Sequence, residues 1–568
     1  MKTTVFRAFV FITVAALSGL AQAADRGPAA DLIITHARVW TVNPAQPEAA
    51  AVAVLNGRIV AVGSDQEVAR WRGAQTQVVD AGGRRLVPGF NDSHVHLLDG
   101  GESMEAVQLN DATSNADFVR RLAAYAAKLP KGDWIRGGEW DETKWLPAEL
   151  PTRQQIDAAT PDNPVSIDRY DGHMVLANAR ALALAGITRA TLDPAGGVIV
   201  RDAQGEPTGA LKDAATELIN KVIPAPNREQ RRRAMANVLR EAARLGVTSA
   251  QAMSADDDTL TTLREFLNEG RLTLRVYVAP PIARVEDQAR LGTGRAFGGP
   301  MLRIGALKAF ADGSLGSRTA YFFDPFLDQS TNRGLLSQDM QPLEKMRGWM
   351  MRADDAGLQL CTHAIGDAAI SAILDLYQDI QDSHGVRDRR WRIEHAQHMA
   401  AKDFDRFAAL GVIASMQPYH AIDDGRWAEA RIGHDRASRT YAFRTFLDHH
   451  VRLAFGTDWP VAPLNPMLGL YAATTRATLD SKNSGGWFPE QKLSIQEAIS
   501  AYTAGPAYAE FQDHDKGSIE IGKLADLVLL SEDVISIRPE KLREVRVVTT
   551  WLGGVAIYDE SGAAQPRF

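Results

Sequence analysis

The sequence predicts an α/β protein: a TIM (β/α)8 barrel with a composite β-sandwich from both termini and a cap inserted after barrel strand 1. Three observations lead to this prediction. From about residue 240 onward, short apolar runs alternate with helical patterns, which is typical of parallel α/β folds. Eight apolar runs qualify as barrel strands, the number that a TIM barrel requires. Finally, β-rich segments lie near both ends of the 568-residue chain.

The candidate barrel strands are short runs rich in β-branched and other apolar residues. They are Leu86–Asn91, Val247–Gln251, Leu274–Ala279, Arg303–Phe310, Gln359–His363, Arg390–His395, Val412–Pro418 and Arg452–Gly456. Ahead of the second strand, Asn227 followed by Gln230 is a capping-box pattern, so we predict a helix that ends near Leu245. The barrel domain is assigned to residues 86–514.

The two ends of the chain are expected to form one small sandwich from residues 31–85 and 515–568. Near the amino terminus, Asn56-Gly57 joins two β-like runs and predicts a type I′ hairpin. Similar runs occur in residues 525–530, 545–551 and 555–558. His36 belongs to this sandwich, where a structural role is expected.

Residues 92–246 separate the first two candidate barrel strands, far more than the about 2–6 residues of an ordinary connection. We therefore predict an inserted cap subdomain at about 100–225, which contains a helix at Asp117–Lys128. Trp134, Trp140 and Trp145 lie in this insertion. They could line an apolar pocket, although packing in a core is the simpler interpretation.

The first residues have the pattern of an export signal. Lys2 and Arg7 precede an apolar run that is followed by Ala21-Gln-Ala23, so residues 1–23 are predicted to be a cleaved signal peptide. An uncleaved anchor is the alternative, but the run is shorter than a membrane span of about 20 residues. We expect an exported, periplasmic protein with no membrane association after cleavage.

Composition excludes several classes of protein. The net charge of -7 is small and its charges are interspersed, which argues against nucleic-acid binding. Cys361 is the single cysteine, so an intramolecular disulfide and a cysteine-rich zinc site are excluded. This thiol lies on an apparent buried strand, where an inert core residue is expected. The sequence does not decide the oligomeric state, and a homo-oligomer remains open.

His94-Val95-His96 is the strongest sign of chemistry. On an extended strand, side chains two residues apart point the same way, so these imidazoles can share one metal ion. A single His-x-His also occurs in hydrogen-bonded cores. However, four further residues follow apolar runs at the carboxyl ends of candidate strands, where TIM-barrel active sites lie. They are Lys308, His363, His395 and Asp458.

Five segments together resemble the amidohydrolase superfamily, and most of all its family 3 branch, which includes N-substituted formamide deformylases. The segments are residues 88–96, 307–320, 362–367, 392–397 and 456–460. They occur in the family's order over essentially the whole mature chain. The resemblance implies a metal-dependent hydrolase that combines a TIM barrel with a composite β-sandwich.

The resemblance also implies a ligand set. His94, His96 and Asp458 would hold a first metal, and His363 and His395 a second. Lys308 would bridge both, but only as an N-carboxylated lysine, because an ammonium has no lone pair to donate.

Two alternatives remain for this site. Lys308 could instead form a salt bridge to Asp312 or Asp367. In that case, a one-metal site would consist of His94, His96 and Asp458. Imidazole and carboxylate ligands suit zinc best among divalent metals, with iron, manganese and nickel as alternatives.

The predicted activity is hydrolysis of a C–N bond in an amide- or formamide-like small molecule by metal-activated hydroxide. Asp458 would be the catalytic residue that accepts the proton of water and passes it to the leaving nitrogen. An ester, lactone or phosphotriester hydrolase could use the same site. A non-catalytic periplasmic metal- or ligand-binding protein is the alternative from another class.

Four polar residues are candidates for supporting roles. His173 and His420 could orient the substrate carbonyl or stabilise its oxyanion, with a structural role as the alternative. Arg318 could bind a substrate carboxylate or pair with Asp312. His398 is expected to support the neighbouring ligands or to cap a helix.

Overall fold

The computed structural model describes residues 28–563, so the predicted signal peptide lies outside the described residues. Two five-stranded sheets occupy the centre of the molecule. In spatial order, the first consists of Phe297–Gly298, Leu302–Ile304, Arg275–Ala279, Val247–Met253 and Phe90–Val95. The second consists of Ala306–Phe310, Gln359–Ala364, Arg392–His395, Ile413–Met416 and Leu453–Phe455. All neighbouring strands are parallel except Phe297–Gly298.

Isolated parallel bridges join the two central sheets at both seams. One bridge pairs Val95 with Trp459, and the other pairs Pro281 with Lys308. At the second seam, the predicted strand Arg303–Phe310 is divided at Gly305, which has a φ of 153°. A Cβ on this glycine would lie 2.5 Å from the backbone nitrogen of Ala296, so only glycine fits.

The prediction of a barrel strand at Leu86–Asn91 is wrong in its bounds. Arg85–Pro88 belongs to an outer sheet, and Phe90–Val95 forms the strand of the central sheet. Gly89 separates them, and a Cβ there would lie 2.1 Å from Thr248 Oγ1. The apolar run is continuous because both strands are buried, so hydrophobicity alone could not reveal the division.

Segments from both ends of the chain share one outer sheet. Its six strands are, in order, Val555–Asp559, Val547–Leu552, Leu527–Leu530, Arg85–Pro88, Arg38–Trp40 and Glu48–Ala49. A four-stranded sheet consists of Arg58–Gly63, Ala51–Leu55, Leu32–Thr35 and Gln77–Asp80. The hairpin predicted at Asn56-Gly57 forms, with φ angles of 51° and 75°. His36 is exposed, and its Nδ1 lies 3.0 Å from Asp80 Oδ2.

The insertion contains a sheet that the sequence did not predict. Its strands are, in order, Gly197–Arg201, Pro207–Asp213, Met174–Ala177, Val165–Arg169 and Ile135–Trp140. Glycines and charged residues interrupt the alternation of apolar and polar residues along these strands, so the sequence pattern does not reveal them. Trp140 and Trp145 are buried in the core beneath the sheet, and Trp134 packs on a neighbouring apolar cluster. None of the three lines the large cavity described below, which supports packing as their role.

Helices connect the central strands, and further helices belong to the insertion. The predicted capping box at Asn227 forms and begins the helix Arg228–Arg244, and the predicted cap helix spans Asn115–Ala126. The other α-helices are Asp65–Ala69, Leu97–Ser103, Arg153–Asp157, Ala179–Leu184, Glu217–Asn220, Asp257–Asn268, Val285–Leu291, Leu343–Asp355, Asp367–His384, Phe404–Leu410, Pro418–Asp424, Ala428–Ile432, His434–Ala437, Phe443–Asp448, Pro466–Thr475, Ile495–Ala501 and Ala504–Ala509. Within residues 28–563, none of the helices has both the length and the apolar character needed to cross a membrane.

A buried ion pair joins the outer six-stranded sheet to the central strands. Arg275 donates from Nε to Asp526 Oδ2 at 2.6 Å and from Nη2 to Oδ1 at 2.9 Å. Asp526 Oδ1 also accepts a hydrogen bond from the backbone N–H of Gly553. Both charged side chains are almost fully withdrawn from solvent, so neither can exchange its partner for water.

We therefore expect Asp526→Asn to lower the free energy of unfolding by about 3–5 kcal/mol, because Arg275 would keep a buried charge without its counter-ion. The apparent midpoint of urea unfolding, followed by circular dichroism, measures the effect. Glu544→Gln is the control, since this exposed partner of Lys541 should contribute less than about 1 kcal/mol. Equal midpoints for the two variants would contradict the prediction.

Candidate active site

Nearly all of the predicted site residues line one cavity of about 640 Å³. It lies at the carboxyl ends of the central strands, and residues of the insertion, such as Glu139 and His173, also line it. Eight predicted residues line it: His94, His96, His173, Lys308, His363, His395, His420 and Asp458. The structure does not bring Arg318 to this cavity. Its guanidinium instead donates to Asp328 Oδ2 at 2.6 and 3.0 Å, and it does not pair with Asp312.

His94, His395 and Asp458 form the centre of the site. One ligand atom of each lies within 4.8 Å of the other two, and all three residues are buried. Asp458 Oδ1 lies 3.4 Å from His94 Nε2 and 3.3 Å from His96 Nε2. Asp458 and His395 have left-handed φ angles of 62° and 69°. Such strain costs about 1–3 kcal/mol per residue and is concentrated at functional sites.

Hydrogen bonds at Nδ1 fix which nitrogen of two rings keeps its lone pair. His94 Nδ1 donates to Glu394 Oε2 at 2.7 Å, because a carboxylate can only accept. His395 Nδ1 lies 2.8 Å from Gln417 Oε1, also an acceptor. In both rings, Nε2 is therefore the unprotonated nitrogen with a lone pair for the site.

His363 has the opposite orientation. Its Nε2 donates to the carbonyl oxygen of Gly313 at 3.1 Å, which leaves Nδ1 as the free nitrogen. Its ring centroid lies 4.5 Å from that of His395. His363 therefore joins the cluster beside the central three residues.

Lys308 lies inside the cluster of histidines. Its Nζ is 3.2 Å from His94 Nε2, and burial lowers the pKa of the amine. No ion pair joins it to Asp312 or Asp367 in the part of the chain that the structure describes. Asp312 accepts backbone N–H groups of Tyr321, Ile365 and Gly366 instead. The salt-bridge alternative for Lys308 is therefore not formed.

The electrostatics favour neutral imidazoles beside an ionised carboxylate. Burial lowers the pKa of His94 to about 4. Burial also opposes the charge of Asp458, but the neighbouring His94, His96 and His395 hold the pKa of this carboxyl well below its usual range. At neutral pH the centre thus offers nitrogen lone pairs and a carboxylate, the protonation states that ligate a metal.

This donor set fits a divalent cation. The two imidazole nitrogens and one carboxylate oxygen converge from different strands and are withdrawn from solvent. Hydrogen bonds to Glu394 and Gln417 orient the rings, as is usual for metal-binding histidines. Borderline nitrogen and oxygen donors suit zinc and several other divalent transition metals.

Two histidines approach the centre from other directions. His173, from the cap, lies 2.9 Å from Asp213 Oδ1 through its Nδ1, and its ring centroid is 5.9 Å from that of His363. His420 stacks at 6.4 Å on His395, and its buried Nε2 has no hydrogen-bond partner among the described residues. Both rings can therefore reach a molecule in the cavity.

Sequence reasoning missed Glu394 and Gln417. Glu394 is fully buried and lies 3.0 Å from the guanidinium of Arg392, which with His94 lowers the pKa of Glu394 to about 2 despite burial. The available signal was a pair of charges inside a buried strand, since buried charges are paired. Cys361 contacts the same arginine, and burial raises the pKa of its thiol to about 11, which agrees with an inert residue.

His398 lies behind the site. Its Nδ1 is 2.7 Å from Thr440 Oγ1, and its Nε2 is 3.0 Å from Gln397 Nε2. Gln397 itself lines the cavity. His398 therefore contacts a cavity residue without lining the cavity.

Comparison with known proteins decides the family. The model of the Amidohydrolase family matches residues 77–558, most of the chain. The protein belongs to the amidohydrolase family. The resemblance to its family 3 branch, inferred from five short segments, is thereby confirmed.

Relatives of this amidohydrolase match it over nearly their whole length. The protein LONG AFTER FAR-RED 3 of Arabidopsis thaliana is 37% identical over 94% of this chain and 92% of its own. N-substituted formamide deformylase of Arthrobacter pascens is 27% identical over 94% of this chain and 99% of its own. A solved structure, an uncharacterized metal-dependent hydrolase of Pyrococcus horikoshii OT3, superimposes with a TM-score of 0.74 at 28% identity, over 90% of this chain and 99% of its own. The chain is thus a hydrolase with the α/β fold of metal-dependent amidohydrolases.

We expect Glu394→Gln to weaken metal affinity by about 10–100-fold, because His94 would lose its charged hydrogen-bond partner. Titration of the amidohydrolase with zinc against a competing chelator measures the affinity. Glu344→Gln, an exposed change of the same type, is the control. An unchanged affinity in Glu394→Gln would show that this carboxylate does not support the site.

Proposed function

We propose that this amidohydrolase cleaves a C–N bond in a small amide- or formamide-like molecule with the help of a bound divalent metal. The observation that carries the proposal is the convergence of His94, His395 and Asp458 in one buried cluster, with His96 Nε2 3.3 Å from Asp458 Oδ1. Similarity to an N-substituted formamide deformylase supports the choice of bond. A cavity of about 640 Å³ suits a small molecule.

His94, His96 and Asp458 would hold a first metal. When bound, such an ion lowers the pKa of water to about 7 and polarises a carbonyl oxygen. Zinc is the cation that we propose, since its preferred ligands are those present here. His363 and His395 would hold a second metal, and carboxylated Lys308 would serve both.

Asp458 performs the proton transfers in this proposal. Its ionised carboxylate accepts a proton from the attacking water and later gives it to the leaving nitrogen, so that the amine departs neutral. Its Oδ1 lies 3.4 Å from His94 Nε2 and 3.3 Å from His96 Nε2, within the cavity. His173 and His420 would orient the scissile carbonyl, His420 through its unpartnered Nε2.

Lys308 would act as an N-carboxylated residue. Its neutral amine would form a bond to the carbon of CO2 and release one proton, which leaves two carbamate oxygens as ligands. The support is its place within the cluster, where an ammonium would oppose a bound cation.

The proposal extends to architecture and location. The bridges Val95–Trp459 and Pro281–Lys308 support closure of the two central sheets into one eight-stranded barrel. The outer sheets would form the sandwich of residues 31–85 and 515–568, with a cap at about 100–225 on the barrel of residues 86–514. The signal-like residues 1–23 support export to the periplasm.

We expect the zinc-loaded protein to hydrolyse N-formyl or N-acyl amines in a mass-spectrometric screen that also contains esters, lactones and a phosphotriester. Asp458→Asn should lower kcat by about 10²–10⁴-fold, since its amide cannot shuttle a proton. Asp435→Asn, at an exposed carboxylate, should have wild-type activity. Metal content is measured in each variant, so that loss of metal is recognised.

Turnover of esters or phosphotriesters alone would still show hydrolase activity, but it would refute an amide substrate. Ligand binding without turnover, unchanged in Asp458→Asn, would favour a binding protein.

Lys308 gives a separate prediction. Metal-stripped protein reconstituted with zinc should recover more activity with bicarbonate than in CO2-free buffer, because the carbamate can form only with CO2. Lys308→Ala should bind fewer metal ions per chain and show no response to bicarbonate, whereas Lys131→Ala, an exposed control, should behave as wild type. Equal recovery in both buffers would refute carboxylation.

A further inference from the structure

One side of the cavity carries a marked excess of carboxylates. Asp99 and Glu102 lie on the helix that follows the His-x-His pair, and Glu139 and Asp168 lie on two strands of the cap sheet. These four residues are called the acidic wall. Arg136 lies on the same cap strand as Glu139. Among the described residues that line the cavity, it is the one cation beside these four carboxyl groups.

The protein does not neutralise the acidic wall. Arg136 Nη1 lies 3.5 Å from Glu102 Oε2, so a single positive charge faces four carboxyl groups. Glu139 Oε1 is withdrawn from solvent and accepts no hydrogen bond from any residue of the described chain. Burial raises the pKa of both Glu139 and Asp168 to about 7. Within the described residues, neither Glu139 nor Asp168 lies within ion-pair distance of a cation, since Arg136 pairs with Glu102.

The other carboxylates of the cavity differ because the protein supplies their partners. Asp171 Oδ2 accepts from Arg169 Nη1 at 2.7 Å, and Asp424 Oδ2 accepts from Tyr441 Oη at 2.7 Å. Both carboxylates thus accept hydrogen bonds from the protein, whereas Glu139 Oε1 accepts none from the described residues.

The cavity also offers no ready site for an anion. Arg169 is fully buried, and its Nε donates to Glu142 at 2.9 Å while Nη1 binds Asp171. Lys308 lies among the histidines of the active centre. Along the described lining, Arg136 alone remains, and it faces the acidic wall itself.

We propose that the cavity selects amide-like substrates that carry a cationic group, such as a primary ammonium, and that the acidic wall binds this group. The inference rests on the proposed function and specifies its substrate class. Ammonium groups donate strong charge-assisted hydrogen bonds to carboxylates, whereas a carboxylate or phosphate on the substrate would be repelled. Asp99 and Glu102 lie on the helix that directly follows the His-x-His pair, so one substrate can reach both the acidic wall and the active centre.

Three formamides of similar length test the selection by charge. They are N-formyl-1,5-diaminopentane, N-formylhexylamine and N-formyl-6-aminohexanoate, with charges of about +1, 0 and −1 at pH 7.5. We expect kcat/KM to be at least about tenfold higher for the cationic formamide than for the anionic one, with the neutral one between them. A higher value for the anionic formamide would overturn the proposal.

Binding of unreactive probes separates this inference from the proposed function. Calorimetry on the zinc-loaded protein compares hexylammonium, hexan-1-ol and hexane-1-sulfonate, none of which contains a bond to hydrolyse. Hexylammonium should bind at least about tenfold more tightly than the sulfonate. If this preference holds while no amide is hydrolysed, the proposed function fails and the cation site stands.

Two variants assign the preference to the acidic wall. Glu139→Gln and Asp168→Asn keep the shape of each side chain but remove its charge, so each should reduce the preference for hexylammonium several-fold. Glu149→Gln and Asp133→Asn are matched controls on exposed parts of the cap and should leave it unchanged. Thermal unfolding confirms that all four fold. If neither cavity variant alters the preference, the acidic wall does not bind the cation.

Discussion

The buried carboxylate of Glu394 connects the core of the central sheets to the active centre. It lies between the guanidinium of Arg392 and the ring of His94, at 3.0 and 2.7 Å. Each charge would be costly if it were buried alone, and together they offset that cost. Because Glu394 can only accept, it also decides that the Nε2 lone pair of His94 faces the site. The reactivity of the centre therefore depends on a contact outside it.

The inserted segment contributes acidic residues to the cavity. The central strands contribute histidines and Asp458, which are suited to hold a cation and move protons. The cap and the first helix contribute carboxyl groups without matching cations, most clearly Glu139. In our proposal, the chemistry and the choice of substrate therefore reside on different elements of this chain. Loops and insertions can vary without disturbing the strands that position the reactive groups.

Local signals in the sequence predicted much of the fold. The capping box at Asn227 and the hairpin at Asn56-Gly57 depend on neighbouring residues, and both form. The alternation of apolar runs with helices gave the parallel strands in their correct order, within a few residues at most ends. The bounds were wrong where two buried strands adjoin, as at Gly89, because burial on both sides removes the pattern that marks an end.

By itself, the sequence determined the family and the strand order, and eight of the nine residues that it predicted for the site line the cavity. Parallel strands bring their carboxyl ends together, so residues placed there must converge. Only the tertiary structure decided that Arg318 turns to Asp328, that Glu394 holds His94, and that four distant carboxyl groups form one wall. These are contacts between segments far apart in the chain, and their side-chain directions depend on packing that no local pattern encodes.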